Sequence, residues 1–176
     1  MMIERLEVFF MTDRKQWKTG LSIGHLSPKA LERLAKAGVQ VVEIHGLEED
    51  SLWHEVPRWA ADTGVEVRSL HLPFTKSNVM TRDPEEWQRV LDEYQRLFDR
   101  CAQGGVKILV AHPGNAVPPD AERDDYMKSS IEHMTVLTEK CKDFGLTLAV
   151  ESMPNGLCLV ASEAARFLEE IPDLRF

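Results

Sequence analysis

Residues 107–115, KILVAHPGN, decide how this chain folds. Four apolar residues, 108–111, run directly into His112, and Pro113 and Gly114 follow at once. A short apolar run that ends at turn-forming residues is typical of a buried β-strand. The segment therefore predicts a strand over 106–114 with an imidazole at its carboxyl end.

Segments of the same kind recur on both sides of this one, and helical patterns separate them. Strands are predicted at 6–11, 39–46, 65–74, 106–114 and 146–156, and the closing residues, 173–176, have the pattern of the first half of another strand. Helices are predicted at 27–38, 48–64, 83–105, 119–144 and 162–171. This alternation predicts an α/β fold of parallel strands joined by right-handed helical crossovers. No linker or low-complexity stretch interrupts it, so a single domain is expected over 1–176.

The helix at 83–105 has the clearest start signal in the chain. Asp83 is placed to cap it, Pro84 takes the first helical position, and Glu86 follows three residues after the cap, which is the spacing of a capping box. Apolar residues then recur at helical spacing from Trp87 to Cys101, and they predict a stripe that packs into the core.

Composition excludes several classes of protein. The chain has 176 residues, of which 43% are hydrophobic and 28% charged, as expected of one soluble globular domain. No apolar run approaches the ~18 residues that a membrane span needs, and charges interrupt the first ten residues where a signal peptide would be apolar. A cytoplasmic location is therefore expected. The net charge of −8, without a Lys/Arg block, argues against nucleic acid as a partner.

Three cysteines lie far apart in the sequence. They are Cys101, Cys141 and Cys158, and no CxxC pair occurs. A cysteine-based zinc site is therefore not expected, and the three are predicted to be reduced, buried thiols.

Ionisable groups stand at the ends of the second to fifth predicted strands. They are Glu43 and His45, then His71, then His112, and then Glu151. Ligands of parallel α/β folds bind at the carboxyl ends of the strands. These five side chains are therefore the candidates for a functional site.

Alternation along each strand predicts that these groups share one face of the sheet. The residues expected beside them on that face are Val67 and Ser69 with His71, Ile108 and Val110 with His112, and Thr147 and Ala149 with Glu151. Small or β-branched side chains of this kind suit the inner layers of a barrel. The opposite face carries Leu70, Leu109 and Leu148, which suit packing under helices.

Imidazoles and carboxylates at neighbouring strand ends form a mixed nitrogen and oxygen ligand set, which suits Zn²⁺, Mn²⁺ or Fe²⁺. The same groups can act as acid–base pairs. Taken singly, each histidine could be a hydrogen-bonded structural residue, and Glu43 could pair with a basic neighbour. The joint occurrence of His71, His112 and Glu151 at matching positions favours a functional site. The other histidines are predicted at the surface, on loops or helices: His25, His54 and His133.

Three stretches together resemble the xylose isomerase-like TIM-barrel superfamily, whose members include sugar isomerases and epimerases and abasic-site nucleases of the endonuclease IV type. They are HLPF at 71–74, the stretch from SNVM through HPGN at 77–115, and LAVESMPN at 148–155. The strand ends H-x-P, HPG and E-x-x-P occur in the family order. The resemblance implies a barrel of eight strands with a divalent metal site at its C-terminal face. This sequence supplies five strands and the start of a sixth, so an incomplete TIM-barrel-type fold is expected.

The resemblance also implies roles for individual residues. His71 and His112 match histidines that bind zinc in the nuclease branch. Glu151 matches a carboxylate that binds metal in both branches and, in the epimerases, helps to move a proton. Glu43 resembles a second-strand acid that faces the pocket, and it is predicted to be catalytic together with Glu151. The residues predicted to line the substrate pocket are His45, Asn115 and Asn155.

Three functions follow from these expectations. The leading one is a sugar or sugar-phosphate isomerase or epimerase homologue, which depends on Zn, Mn or Mg when the barrel is complete. The first alternative is an abasic-site nuclease homologue, which the two strand-end histidines favour and the acidic composition disfavours. The second is a catalytically inactive partial barrel that serves as a binding or assembly module. The family's remaining metal ligands lie on its sixth to eighth strands and have no counterparts here. Open sheet edges invite pairing with another chain, so a homodimer is also expected.

Overall fold

The computed structural model describes residues 18–74, 78–115, 119–154 and 156–176. The predicted strand at 6–11 and the predicted pocket residue Asn155 lie outside these ranges. Among the described residues, no helix is long and apolar enough to cross a membrane.

Five strands form one sheet in the order in which they occur along the chain. They are β1 (Gly20–Ile23), β2 (Val41–Ile44), β3 (Glu66–His71), β4 (Ile108–Ala111) and β5 (Thr147–Val150). Every neighbouring pair is parallel. The predicted α/β class is therefore confirmed, and the described sheet corresponds to five strands of the eight that a complete TIM barrel contains.

Strand β1 is not predicted by the sequence pattern. Its four residues, GLSI, include a glycine and a serine, and most of them are exposed. Such a segment shows neither an apolar run nor a clear alternation. Pairing with β2, from Gly20 beside Val41 to Ile23 beside Ile44, makes it a strand.

The last residues of the chain begin the sixth strand that the sequence predicts. Arg175 forms a parallel bridge with Ala149 of β5. Its carbonyl accepts from the Val150 amide at 2.7 Å, and its amide donates to the Leu148 carbonyl at 3.0 Å.

Five helices connect the strands and cover one face of the sheet. They are α1 (Pro28–Lys36), α2 (Val56–Thr63), α3 (Pro84–Gln103), α4 (Arg123–Asp143) and α5 (Ala161–Glu170). Short 3₁₀ turns, Asp50–Glu55 and Asp120–Glu122, lead into α2 and α4. The predicted helix at 48–64 is thus divided at Val56, next to Pro57, which is tolerated only in the first turn of an α-helix.

The start of α3 confirms the predicted cap and corrects the predicted capping box. The Asp83 carboxylate accepts from the amide of Glu85 at 2.9 Å and from that of Glu86 at 3.4 Å. The Glu86 side chain does not return to the Asp83 amide. It accepts instead from the Thr81 hydroxyl, and that hydroxyl in turn accepts from the Asp83 amide at 3.2 Å.

The sheet has one buried face and one partly open face. Ile44, Leu70, Leu109 and Leu148 are fully buried under the helices, and burying such a side chain contributes roughly 1.5–3 kcal/mol. The opposite face is more open, since Ile108, Val110 and Ala149 are only half-buried and Thr147 is exposed. This is the face that would line the inside of a barrel.

One residue departs from the predicted alternation. The register between β2 and β3 shifts after Val42, so Val67 pairs with Val42 and Ser69 pairs with Glu43. Val42 belongs to the face packed under the helices, and paired residues of a parallel ladder point to the same side. Val67 therefore lies on the buried face. The prediction from alternation, which placed it beside His71, is wrong for this residue.

The predictions for the three cysteines and for the histidines outside the candidate site are largely correct. All three cysteines are buried free thiols, and burial raises the pKa of each to about 12. His25 and His54 are exposed, as expected. His133 is half-buried and not fully exposed: its Nδ1–H donates to the Val79 carbonyl at 2.8 Å, and its ring stacks on Trp87 at 3.8 Å between centroids.

Candidate active site

Three of the predicted site residues stand at the carboxyl ends of three consecutive strands. His71 is the last residue of β3, His112 follows β4, and Glu151 follows β5. The ladder between β3 and β4 aligns His71 with Val110, and the Glu151 amide donates to the Ala111 carbonyl at 2.9 Å. Backbone pairing thus places all three side chains at one edge of the sheet.

The polar atoms of these side chains converge on one point. The His71 Nε2 lies 3.1 Å from the His112 Nε2 and 2.9 Å from the Glu151 Oε2, and the His112 Nε2 lies 3.1 Å from the same oxygen. Both imidazoles are 5% exposed, whereas the Glu151 side chain is 51% exposed. The cluster therefore consists of two buried nitrogens and one carboxylate that faces solvent.

Hydrogen bonding fixes which nitrogen of His71 carries a proton. The Leu72 carbonyl, 2.9 Å from Nδ1, can only accept, so Nδ1–H must donate to it. The Nε2 of neutral His71 is then a lone pair directed at the Glu151 oxygen and the His112 nitrogen. A proton on the His112 Nε2, an additional proton or a cation must then lie between the three atoms. A histidine whose outer N–H is held by a backbone carbonyl is also the usual form of a metal ligand.

The environment of His112 is more apolar. Its Nδ1 is buried and has no hydrogen-bond partner among the described residues. The Phe74 ring packs against both imidazoles, with centroids 5.3 Å from His71 and 4.6 Å from His112. Asn115, predicted to line the substrate pocket, donates its side-chain amide to the Phe74 carbonyl. Asn115 therefore lies beside the cluster and supports the residue that covers it.

The charges of the cluster suit metal binding. Burial lowers the pKa of His112, although the hydrogen bond to Glu151 acts in the opposite direction. Desolvation acts against ionisation of Glu151, but the contacts from His71 and His112 outweigh it and hold the pKa of this carboxyl below its usual range. Neutral imidazole and ionised carboxylate are the forms that coordinate metals.

A second polar cluster lies on the same open face of the sheet, around Glu43. Its carboxylate accepts from the Ser22 hydroxyl at 3.2 Å and from the Ser69 hydroxyl at 3.1 Å. The Ser22 hydroxyl also lies 3.4 Å from the His45 Nε2, and the His45 ring stacks on His71 with centroids 4.9 Å apart. Glu43 is therefore connected to the first cluster through Ser22 and His45.

The surroundings of His45 lower its pKa. Partial burial and the neighbouring His71 lower its pKa, while Glu43 acts in the opposite direction. Neutral His45 can donate or accept a single hydrogen bond at its exposed edge, which suits a pocket residue.

Sequence reasoning did not assign roles to Ser22, Ser69 or Phe74. Ser22 lies on β1, a strand with no recognisable pattern. Ser69 stands two residues before His71, and alternation places it on the same face, but the sequence alone gives no sign that its hydroxyl binds Glu43. Phe74 gave no signal, since an aromatic residue after a strand is most often part of the core.

Comparison with known proteins agrees with this fold. Residues 31–176 match the model of the family described as xylose isomerase-like TIM barrel. Because this match covers most of the chain, the chain belongs to that family, and the resemblance found at the strand ends is confirmed.

A curated relative and two solved structures illustrate the likeness. An inosose isomerase of Bacillus velezensis is 25% identical over 143 residues, which are 74% of this chain and 47% of that protein. D-psicose 3-epimerase with D-tagatose, from Clostridium cellulolyticum H10, has a TM-score of 0.75 at 15% identity and covers 90% of this chain and 62% of its own. The IOLI protein with a bound zinc atom has a TM-score of 0.72 at 17% identity, with coverages of 90% and 61%. The chain spans about half the length of the curated relatives it matches.

Proposed function

From its membership of this family, we propose that the chain is a sugar or sugar-phosphate isomerase or epimerase homologue that uses a divalent metal. The observation that carries the proposal is the convergence of the His71 Nε2, the His112 Nε2 and the Glu151 Oε2, which lie within 3.1 Å of one another. The names of the relatives, an inosose isomerase and a D-psicose 3-epimerase, support a small polyhydroxy ketone as the substrate class.

His71, His112 and Glu151 fit a metal as its protein ligands. Three protein ligands leave a coordination position for water or substrate, as in catalytic zinc sites. Two imidazoles in the set favour zinc over magnesium, which prefers oxygen ligands. When bound, such a cation would polarise a substrate carbonyl and its neighbouring hydroxyl.

Glu151 is the proposed proton carrier. Both of its contacts to the histidines use Oε2, and the side chain is half exposed, so Oε1 can face a substrate. Its lowered pKa keeps it ionised at neutral pH and able to accept a proton from the carbon beside a carbonyl. Returning that proton to the adjacent carbon, while the hydroxyl proton passes to the former carbonyl oxygen, completes an isomerisation. An epimerisation needs a second acid that protonates the same carbon from its opposite face, and we assign that share of the proton transfer to Glu43.

Glu43 is the proposed second carboxylate. The Ser22 and Ser69 hydroxyls hold its two oxygens, so it is oriented before a substrate arrives. We assign to it the binding of substrate hydroxyls, with a share in proton transfer, and we place His45 and Asn115 at the margin of the same pocket. These assignments apply to the described strands. Turnover by the whole protein needs whatever residues close the other side of the pocket.

The first experiment measures metal content. We expect the purified chain, loaded with zinc and then desalted, to retain about one zinc per chain, because three ligands converge. Glu151→Gln removes one ligand charge and should lose the metal. Glu169→Gln, on the exposed side of α5, is the matched control and should retain it.

The second experiment measures proton transfer. A ketose or inosose incubated in deuterium oxide should exchange the hydrogen beside its carbonyl, as seen by NMR, even where net conversion is slow. A zinc-bound chain that nicks abasic duplex DNA and exchanges no such hydrogen would favour the nuclease. A chain that does neither would favour the binding module.

A further inference from the structure

The loop that follows β5 is held by an ion pair outside the active site. The Arg123 Nε, at the start of α4, lies 2.6 Å from one oxygen of Glu163, and the Arg123 Nη2 lies 2.9 Å from the other. The same Nη2 donates to the Gly156 carbonyl at 3.2 Å. Arg123 and Glu163 are three-quarters or more buried, so this pair is shielded from solvent far more than the surface ion pairs.

Glu163 holds the other half of the loop. Its Oε2 accepts from the Leu159 amide at 3.1 Å, and a hydrogen bond from the Cys158 amide helps to lower its pKa, although Arg123 is the main cause. Cys158 has a φ of 62°, a left-handed conformation that non-glycine residues avoid. Surrounding contacts must hold such a residue in place, and here the Arg123–Glu163 pair provides them.

Two glycines connect this loop to the loops that carry the histidines. A Cβ on Gly156 would overlap the carbonyl oxygen of Gly114, two residues after His112. A Cβ on Gly114 would overlap the side chain of Met80, in the loop after β3. The loops after β3, β4 and β5 are therefore stacked in direct contact at these residues. Arg123 binds the last of the three loops, through the Gly156 carbonyl.

Of the three proposed metal ligands, Glu151 is the one whose position depends on these loop contacts. His71 and His112 are buried and bounded by the core, whereas Glu151 is half exposed and begins the clamped loop. Four residues separate Glu151 from Gly156. The position of its carboxylate thus depends on where the loop is anchored.

We propose that Arg123 is a positioning residue for the candidate active site, which sets the geometry of Glu151 by clamping the β5–α5 loop through the Gly156 carbonyl and Glu163. The inference rests on the proposed function, because the geometry it sets is that of the proposed metal ligands. Arg123 itself touches neither metal nor substrate.

The test compares zinc affinity in Arg123→Gln, Arg123→Lys and Arg166→Gln, measured by competition with a chromophoric chelator. Arg166 also joins α5 to α4, through Asp124 at 3.1 Å, and it pairs with Glu170 in its own helix. It is therefore the matched control, since it makes an α4–α5 ion pair and forms no hydrogen bond or ion pair with the described residues of the loop. We expect the zinc Kd to rise about tenfold in Arg123→Gln, the lower end of the loss seen when groups that orient ligands are removed. It should stay within about twofold in Arg166→Gln.

Arg123→Lys keeps the charge but lacks the planar fork that binds both Glu163 oxygens and the Gly156 carbonyl together. We expect a smaller rise in the zinc Kd, together with a fold intact by circular dichroism. This variant decides the question if Arg123→Gln does not fold. Hydrogen exchange of the metal-free protein gives a second readout. Amides of 156–160 should exchange faster in both Arg123 variants, while those of β3 and β4 stay unchanged.

The outcomes separate this inference from the proposed function. A wild-type chain that binds no zinc would overturn both. Wild-type binding with an unchanged zinc Kd in the folded Arg123 variants would overturn the positioning role alone. A Kd that rises equally in Arg166→Gln would also overturn it, because a general loosening of α5 would then explain the loss.

Discussion

Replacing Gly156 with alanine tests the loop stack directly. The added Cβ would overlap the Gly114 carbonyl oxygen and lie 3.4 Å from the Met153 Cβ. The Gly114 oxygen belongs to the backbone and cannot rotate away as a side chain could, so one of the two loops must move. Overpacking of this kind typically costs about 1–3 kcal/mol. For a protein of this size, 1 kcal/mol lowers Tm by about 2–4 °C, so the expected decrease is about 2–12 °C.

Gly24→Ala is the matched control for this substitution. A Cβ there would meet nothing within 4 Å, and the backbone conformation is not left-handed. The change should be neutral or stabilise by up to about 1 kcal/mol, through the smaller entropy of the unfolded chain. Both variants are compared with wild type by urea unfolding and by thermal unfolding, with zinc chelated, so that folding is measured apart from metal binding.

The difference in the free energy of unfolding between Gly156→Ala and Gly24→Ala decides whether the loops are in direct contact. Equal stability of Gly156→Ala and Gly24→Ala, within about 0.5 kcal/mol, the ordinary range for surface changes, would show that the loops are not in direct contact. A destabilised Gly156→Ala variant should also bind zinc less tightly than wild type, because the displaced loop begins at Glu151. Loss of stability with full zinc affinity would mean that the stack supports the fold without setting the site.

Three further predictions concern other parts of the molecule. Saturating zinc, at about a hundred times its Kd, should stabilise the wild-type chain by about 2.7 kcal/mol, and thermal unfolding of His112→Ala should show no such gain. Tyr94→Phe should cost about 1–2 kcal/mol in urea unfolding, because it leaves the Pro73 carbonyl, which accepts from the Tyr94 hydroxyl at 2.8 Å, without this donor. The Arg68 and Lys18 contacts lower the pKa of Glu66 from 4.5 to about 2, so the stability that Glu66 contributes is complete above pH 4.5 and is lost as the pH falls towards 2. Because Glu66 is exposed, this contribution to the free energy of unfolding should be below about 1 kcal/mol. Urea unfolding of Glu66→Gln should therefore show a smaller loss of stability on acidification, by no more than that amount.

The parts of the fold that the sequence predicts are those where local signals are strong. The β4 segment combines an apolar run with two chain breakers, and α3 has a cap, a proline and a long apolar stripe. Strand β1 has none of these signals. It lies at the edge of the sheet that the described residues form, and its pairing with β2 makes it a strand. The shift at Val42 is equally invisible, since a bulge depends on how two strands pair and not on either strand alone.

The candidate site was predictable to a similar extent and for the same reason. His71, His112 and Glu151 each end a recognisable strand, and parallel pairing brings strand ends together without further information. The hydroxyls that hold Glu43 come from two other strands, and one of those strands has no pattern. Arg123 and Glu163 are 40 residues apart in the sequence and lie on two different helices, where a charged side chain looks like any other. Only their shared contact with the loop after Glu151 distinguishes them.

Metal binding and turnover depend on different parts of this architecture. The three proposed ligands lie on consecutive strands, so the β3–β4 and β4–β5 ladders set their mutual geometry without help from any other strand. Substrate binding needs more, because the face that carries Glu43 and Ser69 remains partly open in the described residues. A chain that binds zinc tightly and exchanges no substrate hydrogen would therefore support the ligand assignment and show that these strands alone do not turn over substrate. The two measurements must be made on the same preparation, since each one tests a separate step of the proposal.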